Sequence, residues 1–339
     1  MEIPLYDIPL IDTGPDFPYE TLCSDEPRGH LLIDGATRGV PRQALKILDG
    51  VSRRWLAKWN NSHLAEIDRI AARLGRPGAY FLSVNYEWGC TVGVCPSPDG
   101  QSARLVRVLD WRTPGLGRHV MAARVAGVAG SFITLTWPGY TGVLQASAPG
   151  RFAAAINQAP LPRSGGGFFP FDWLSNKLKL WQMPHDTPAH VLRHVFEEAP
   201  DFATARRALI ETPLASPAIF SLAGVGSDKL CIIERTEDRA YVHDGLAAAA
   251  NAWRAPSWEG HSRGHDNPGR EAQMKTVRAE FVAPSSWLKP PILSDLTRLV
   301  MVAEPATGRM LAQGYEASQP ATALLDIPAN STTPANLAN

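Results

Sequence analysis

Cys90 follows Gly89, opens a strand-like run, and precedes Arg107 and, three positions later, Asp110 in Leu-Val-Arg-Val-Leu-Asp-Trp. A thiol, a fixed cation and a carboxylate at the head of a β-rich segment form the set that nucleophilic cysteine chemistry on a carbonyl requires. A cysteine inside a chain has no base of its own. Cutting the Gly89–Cys90 peptide bond would supply one, because a terminal amine with a pKa of roughly 7.7–8.0 can take the thiol's proton. On a regular strand Arg107 and Asp110 point to opposite faces, so a bend or bulge between them is expected.

The other cysteines carry less. Cys23, Cys90, Cys95 and Cys231 make neither a disulfide framework nor a zinc pattern. Cys231 lies in an apolar strand-like run, where a small buried thiol is ordinary. His261 and His265 have the spacing of two ligands on a helix, but Gly264 and polar neighbours point to a solvated loop without metal. The Gly224-Val-Gly-Ser-Asp stretch is too short to cradle phosphate and predicts a hairpin turn.

The elements that must position these residues are legible as patterns. Residues 1–38, rich in Pro, Asp and Gly, suggest an irregular arm on the surface. Apolar residues at helical intervals predict helices over 42–59 and from 64 to 74. From residue 90 short β-type runs are expected at 91–95, 103–110, 119–125, 131–136, 142–147 and 152–157. A helical insert follows at 171–181, 189–199 and 202–211, then strands at 218–223, 230–235, 239–243, 299–303 and 309–315. This order predicts an α+β fold with helices outside a pair of sheets. The tail from 318 to 339, rich in Pro, Thr, Asn and Ala, reads as disordered.

Composition limits the function classes. Hydrophobic residues make up 45% and charged residues 19%, as in a globular protein. The formal net charge is zero, which gives no electrostatic footprint for nucleic acid. No run approaches the roughly 18 apolar residues of a membrane span, and the first residues lack a secretory signal, so a cytoplasmic protein is expected.

In order and spacing, several stretches resemble acid ceramidase and N-acylethanolamine-hydrolysing acid amidase, relatives of the choloylglycine and penicillin V acylases among N-terminal-nucleophile hydrolases. They run from His63 to Tyr315 and include 63–75, Gly89-Cys90-Thr91, Val106 to Trp111, Trp137 to Gly142, Phe152 to Asn157, Pro217 to Gly224 and Ala250 to Trp253. Val106 and Val108 stand where the family usually has Gly and Asn, and Ala250 and Ala252 flank Asn251. The resemblance implies a four-layer αββα sandwich with an N-terminal helical pro-segment, cut from a precursor. Residues 1–89 would be the pro-segment or α-subunit and 90–317 the catalytic β-subunit, the two halves staying associated as a heterodimer.

It implies Cys90 as nucleophile, Arg107 beside the thiol and Asp110 orienting the new terminal amine. Asn251 would donate its side-chain amide to an oxyanion, with the backbone N–H of Asn157 completing the hole. A further arginine would be Arg270, with Arg263 as runner-up. Phe168, Phe169, Phe171, Trp173, Leu174 and Trp181, behind a glycine run at 165–167, match the region that receives acyl chains and touches membranes. The activity implied is hydrolysis of a linear amide of an N-acylated, fatty-acyl substrate without any cofactor. An acyltransferase using the same thioester, or a non-catalytic lipid- or peptide-binding relative, are the alternatives.

Overall fold

The computed structural model describes residues 5–84, 88–163 and 168–329. The glycines at 165–167 therefore lie outside the described residues. The N-terminal stretch supplies strand β1 (Leu10–Gly14) and helices α1 (Phe17–Ser24), α2 (Glu26–Ala36), α3 (Arg42–Lys58), α4 (Leu64–Leu74) and α5 (Ala79–Val84). Where composition suggested an irregular arm over 1–38, two helices and a strand stand instead. The prolines are the reason. Pro18 and Pro27 occupy first-turn positions, where the missing N–H has no partner to lose, and the Asp25 side chain caps α2 through Arg28 N at 3.0 Å.

Strands β2 (Trp88–Pro96), β3 (Ala103–Trp111), β4 (Met121–Gly127), β5 (Gly130–Thr136), β6 (Gln145–Ala148) and β7 (Phe152–Gln158) follow. Helices α6 (Phe169–Gln182), α7 (Pro188–Glu198) and α8 (Phe202–Glu211) lead into β8 (Ala218–Gly224), β9 (Leu230–Arg235), β10 (Ala240–Asp244) and β11 (Ala247–Ala249). The chain then forms α9 (Asn267–Met274), β12 (Thr297–Glu304), β13 (Arg309–Glu316), β14 (Gln319–Pro320) and β15 (Leu325–Ile327). The expected disorder thus does not begin at 318. β14 and β15 pair with β13, and Thr322 Oγ1 accepts the Gly314 N–H at 2.8 Å. Backbone pairing at a sheet edge needs no apolar side chains. Residues 330–339 lie outside the described residues.

One sheet runs β1-β4-β5-β6-β7-β8-β9-β10 and the other β11-β2-β3-β12-β13-β14, with β15 also on β13. Side-chain alternation splits each strand between two environments. Cys90, Val92, Val94, Leu105, Leu109 and Met301 face the core between the sheets. Val106, Val108, Val300 and Val302 face the other way, onto Met274, Leu288 and Ile292. α7 and α8 cover the first sheet and α9 packs on β2 and β11 of the second. The layers are therefore helix, sheet, sheet, helix, the αββα sandwich expected. Phe196 of α7 stacks on Phe132 and Phe152 with ring centroids 5.2 and 4.8 Å away, each pair adding about 0.5–1.5 kcal/mol beyond simple burial. Among the described residues no helix is long and apolar enough to cross a membrane.

Candidate active site

β2 and β3 pair in one unbroken register, from Trp88 opposite Trp111 to Pro96 opposite Ala103. Cys90 sits opposite Leu109 and Val92 opposite Arg107. Cys90 and Arg107 are therefore diagonal neighbours on the inner face, while Gly89 and Asp110 oppose each other with side-chain positions on the outer face. The bend expected in β3 is not there. The register shift lies in β12 instead, where Thr297 pairs with Asp110 and Leu299 with Leu109. β3 needs no distortion, because Arg107 and Asp110 approach residue 90 from its two sides.

On the inner side, Arg107 Nη2 donates to Cys90 Sγ at 2.9 Å and Nη1 to Asn157 Oδ1 at 2.6 Å. The guanidinium is fully buried, and its Nε has no partner among the described residues. Asn157 is fixed in turn, its Nδ2 donating to the carbonyls of Ala249 and Ala250 at 3.0 Å each. Its backbone N–H faces elsewhere. Ile156 sends its N–H to Leu144 O at 2.9 Å, so strand alternation turns the N–H of Asn157 toward β8, where Ile219 lies opposite. The sequence expectation gave Asn157 a backbone role; the contact it makes here is through the side chain, as a strut for Arg107.

On the other side, Asn251 and Arg270 hold the backbone of residue 90. Cys90 N donates to Asn251 Oδ1 at 2.7 Å, and Arg270 Nη1 donates to Cys90 O at 3.0 Å and to Thr91 Oγ1 at 3.2 Å. Arg270 Nη2 also reaches Asn251 Oδ1 at 3.3 Å, while Asn251 Nδ2 donates to Gln158 O at 2.8 Å. The amide expected to point at an oxyanion is here turned to Gln158. Two obligate donors, a backbone N–H and a guanidinium, require the oxygen of Asn251 on the side of residue 90.

Asp110 accepts from Thr297 Oγ1 at 2.9 Å, and its Oδ2 lies 3.5 Å from Arg270 Nη1. Burial raises its pKa above the usual carboxylate range, against the pull of Thr297 and Arg270. Burial likewise lowers the pKa of Arg270. The thiol of Cys90 is pushed up to about 12, chiefly by burial, with Arg107 opposing.

Of the two arginines considered, Arg270 sits on residue 90, and Arg263 bonds Ala159 O at 3.0 Å through Nε. Arg270 is there because Asp266 caps α9, its side chain accepting the Gly269 N–H at 3.0 Å, and the helix lies close on β2. The closeness depends on Gly93, where a Cβ would come within 2.9 Å of Met274 Cγ. The segment before α9 is the mostly exposed loop expected, with two of its residues tied to the interior. His261 Nε2 lies 2.8 Å from Oδ2 of buried Asp172, and Gly264, at φ +71°, lies against Arg270. No metal-holding group of His, Cys, Asp or Glu occurs among the described residues.

Two clefts flank the Gly89–Cys90 junction. One is lined by Ile156, Asn157, Leu161, Trp173 and Leu180, the other by Gly89, Asp110, Arg112, Phe169 and His261. Among the aromatic and aliphatic candidates, Trp173 lines the first cleft and Phe169 the second, each at its exposed edge. Phe168, Phe171 and Leu174 face outward, 68%, 58% and 52% exposed. Trp181 instead packs with Trp55, Leu56 and Trp59 of α3 and its end.

No family model matches the chain. Acid ceramidase of Heterocephalus glaber is 29% identical over 104 residues, a stretch that covers 31% of this chain and 25% of that protein. A Caenorhabditis elegans ortholog of N-acylethanolamine-hydrolyzing acid amidase is 21% identical, over 64% of this chain and 93% of its own, with a TM-score of 0.48. A mutant of conjugated bile acid hydrolase from Clostridium perfringens is 10% identical over 72% of this chain and 98% of its own, with a TM-score of 0.40. The curated relative is one of the two lipid amidases that the motifs resemble, and the chain matches about a quarter of its length.

Proposed function

We propose that the chain is a cysteine amidase that activates itself by cleavage at Gly89–Cys90 and then hydrolyses a linear amide of a fatty-acyl substrate. One observation carries the reading. Residue 90 has its sulfur on one buried guanidinium at 2.9 Å and its own nitrogen on a carboxamide oxygen at 2.7 Å. A structural cysteine needs neither.

In the self-cleavage step the Cys90 thiol attacks the Gly89 carbonyl and the C–N bond breaks. The thiol proton passes to the leaving nitrogen. Water then hydrolyses the thioester, leaving a carboxylate on Gly89 and a free thiol and amine on Cys90. The amine becomes the base of the second reaction, taking the thiol proton as sulfur attacks the substrate carbonyl and returning it to the departing amine. Arg107 favours the thiolate, Asp110 orients the terminal amine, and Arg270 holds the carbonyl of residue 90. Asn251 Nδ2 has a second N–H beyond the one on Gln158 O, and that is the donor offered to the oxyanion. α6, with Phe169, Phe171, Trp173 and Leu174 outward and Lys177 and Lys179 beside them, would meet acyl chains or a lipid surface.

The test is hydrolysis of a matched N-palmitoyl amide by the wild type and by Cys90→Ala. Wild-type turnover with complete loss in the variant supports the reading. Equal rates in both would remove Cys90 as nucleophile.

A further inference from the structure

α9 turns one face toward the chain just after β11. Asn267, Arg270 and Glu271 stand three and four positions apart and so share that face. Glu271 Oε1 accepts the Ala250 N–H at 3.2 Å, and Asn267 Oδ1 accepts the Asn251 N–H at 3.0 Å. The same oxygen of Asn267 accepts from Arg270 Nη2 at 2.6 Å, and that Nη2 reaches Asn251 Oδ1 at 3.3 Å. These bonds close a ring. One atom, Asn267 Oδ1, thereby anchors the main chain of Asn251 and the guanidinium that holds its carboxamide.

An asparagine at the start of a helix ordinarily caps it. Here Asp266 has that task, accepting the Gly269 N–H at 3.0 Å. The side-chain bonds of Asn267 lead away from the α9 backbone, the third running from Nδ2 to Arg263 O at 3.0 Å. Asn251, Asn267 and Arg270 are all buried, so a donor that loses its acceptor here finds no water in exchange. The ring ends on residue 90. Asn251 Oδ1 takes the Cys90 N–H at 2.7 Å, and Arg270 Nη1 donates to Cys90 O at 3.0 Å.

We propose that Asn267 is a positioning residue for cleavage of the Gly89–Cys90 bond, aiming Asn251 and Arg270 at the backbone of residue 90. The proposal rests on the self-cleaving reading above and adds the residue that sets its geometry. In that step the C–S bond forms at the Gly89 carbonyl, the C–N bond breaks, and the thiol proton goes to the Cys90 nitrogen. That nitrogen turns pyramidal as it leaves. Its N–H, fixed on Asn251 Oδ1, decides the side on which the lone pair emerges to take the proton. A small misalignment there slows the step without unfolding the protein.

The experiment follows self-cleavage of the full chain by denaturing electrophoresis, with thermal unfolding as the check on folding. Asn267→Leu keeps the side chain's shape and removes its accepting oxygen, and should slow cleavage about 10- to 100-fold. Asn267→Asp keeps that oxygen and loses the bond to Arg263 O, and should cleave at least about fivefold faster than Asn267→Leu. In an Asn251→Ala background, Asn267→Leu should cost less than about threefold more, because Asn267 acts through Asn251. Where Asn267→Leu fails to fold, Asn267→Ala takes its place in each comparison. Wild-type speed in Asn267→Leu, no recovery in Asn267→Asp, or an undiminished cost beside Asn251→Ala overturns the proposal and leaves the amidase reading standing. A wild-type chain that does not cleave overturns both.

Discussion

On the proposed reading, Cys90 in the unbroken chain is a slow nucleophile for two physical reasons. Its nitrogen is an amide and so cannot act as a base, and burial pushes its thiol up to about 12, so it is protonated at neutral pH. Arg107 is the group working against that burial. Arg107→Gln should slow self-cleavage and turnover about 10- to 100-fold, the range expected for losing a charge-assisted hydrogen bond. It should also move the acid limb of the pH–rate profile upward, because the thiol loses its cation. A time course followed by denaturing electrophoresis, with rates across pH, checks both; an unmoved limb would mean Arg107 only fills space. At this scale the opposite faces of Arg107 and Asp110 were readable from strand alternation, but the bend expected between them was not needed, because pairing with β2 gives each its own side of residue 90. The roles of Asn157 and Asn251 were not readable. Which way each carboxamide turns depends on donors contributed from β2, β3 and α9, far away in sequence.

Elements position these groups through close contacts that a sequence shows only in part. α9 brings Arg270 to residue 90 because Gly93 leaves room beneath Met274. Gly93→Val should lift α9, misplace Arg270 and slow self-cleavage at least about tenfold in a protein that remains folded, as judged by circular dichroism and intact mass. A second contact joins α4 to α7. The rings of His63 and His190 lie tilted against each other with centroids 4.3 Å apart, with Arg193, His194, Glu66, Glu197 and Asp186 around them. Burial, foremost, lowers His63 to about 2 and His190 to about 3. The unfolded chain therefore binds protons below pH 6.5 that the folded chain refuses, and stability falls as pH falls. His194, raised to about 9 by Asp186 and Glu197, has nearly all of its benefit by pH 6.5. Between pH 6.5 and 5 each buried histidine should remove about 2 kcal/mol. Denaturant unfolding of His63→Gln should show a loss smaller by that amount; equal slopes would contradict the neutral state of His63. Glu66, raised by burial, acts oppositely in both proteins. Most strands of the two sheets and the helices α3, α4 and α6 to α8 were legible from period and turn residues, whereas β1, β11, β14 and β15 were not. α1, α2 and α9 were not, because Pro18, Pro27 and Pro268 look like breakers yet stand in first helical turns.

Across the whole molecule, the part before residue 90 is woven into the part after it. β1 pairs in parallel with β4, Trp55 Nε1 donates to Leu180 O at 3.0 Å, and Glu66 accepts from Arg193 at 2.7 Å. A break at 89/90 should therefore leave one particle in native chromatography and two chains in denaturant. The layered fold was foreseeable from the alternation of strand and helix runs, whereas the pairing of the tail with β13 depends on backbone groups that composition does not reveal. The most direct measurement is intact mass with N-terminal sequencing of the purified protein under denaturing conditions, held first at mildly acidic and neutral pH. The account predicts two chains, the larger beginning at Cys90, and a single chain for Cys90→Ala. A wild-type protein that stays whole, or one cut anywhere other than before Cys90, contradicts it.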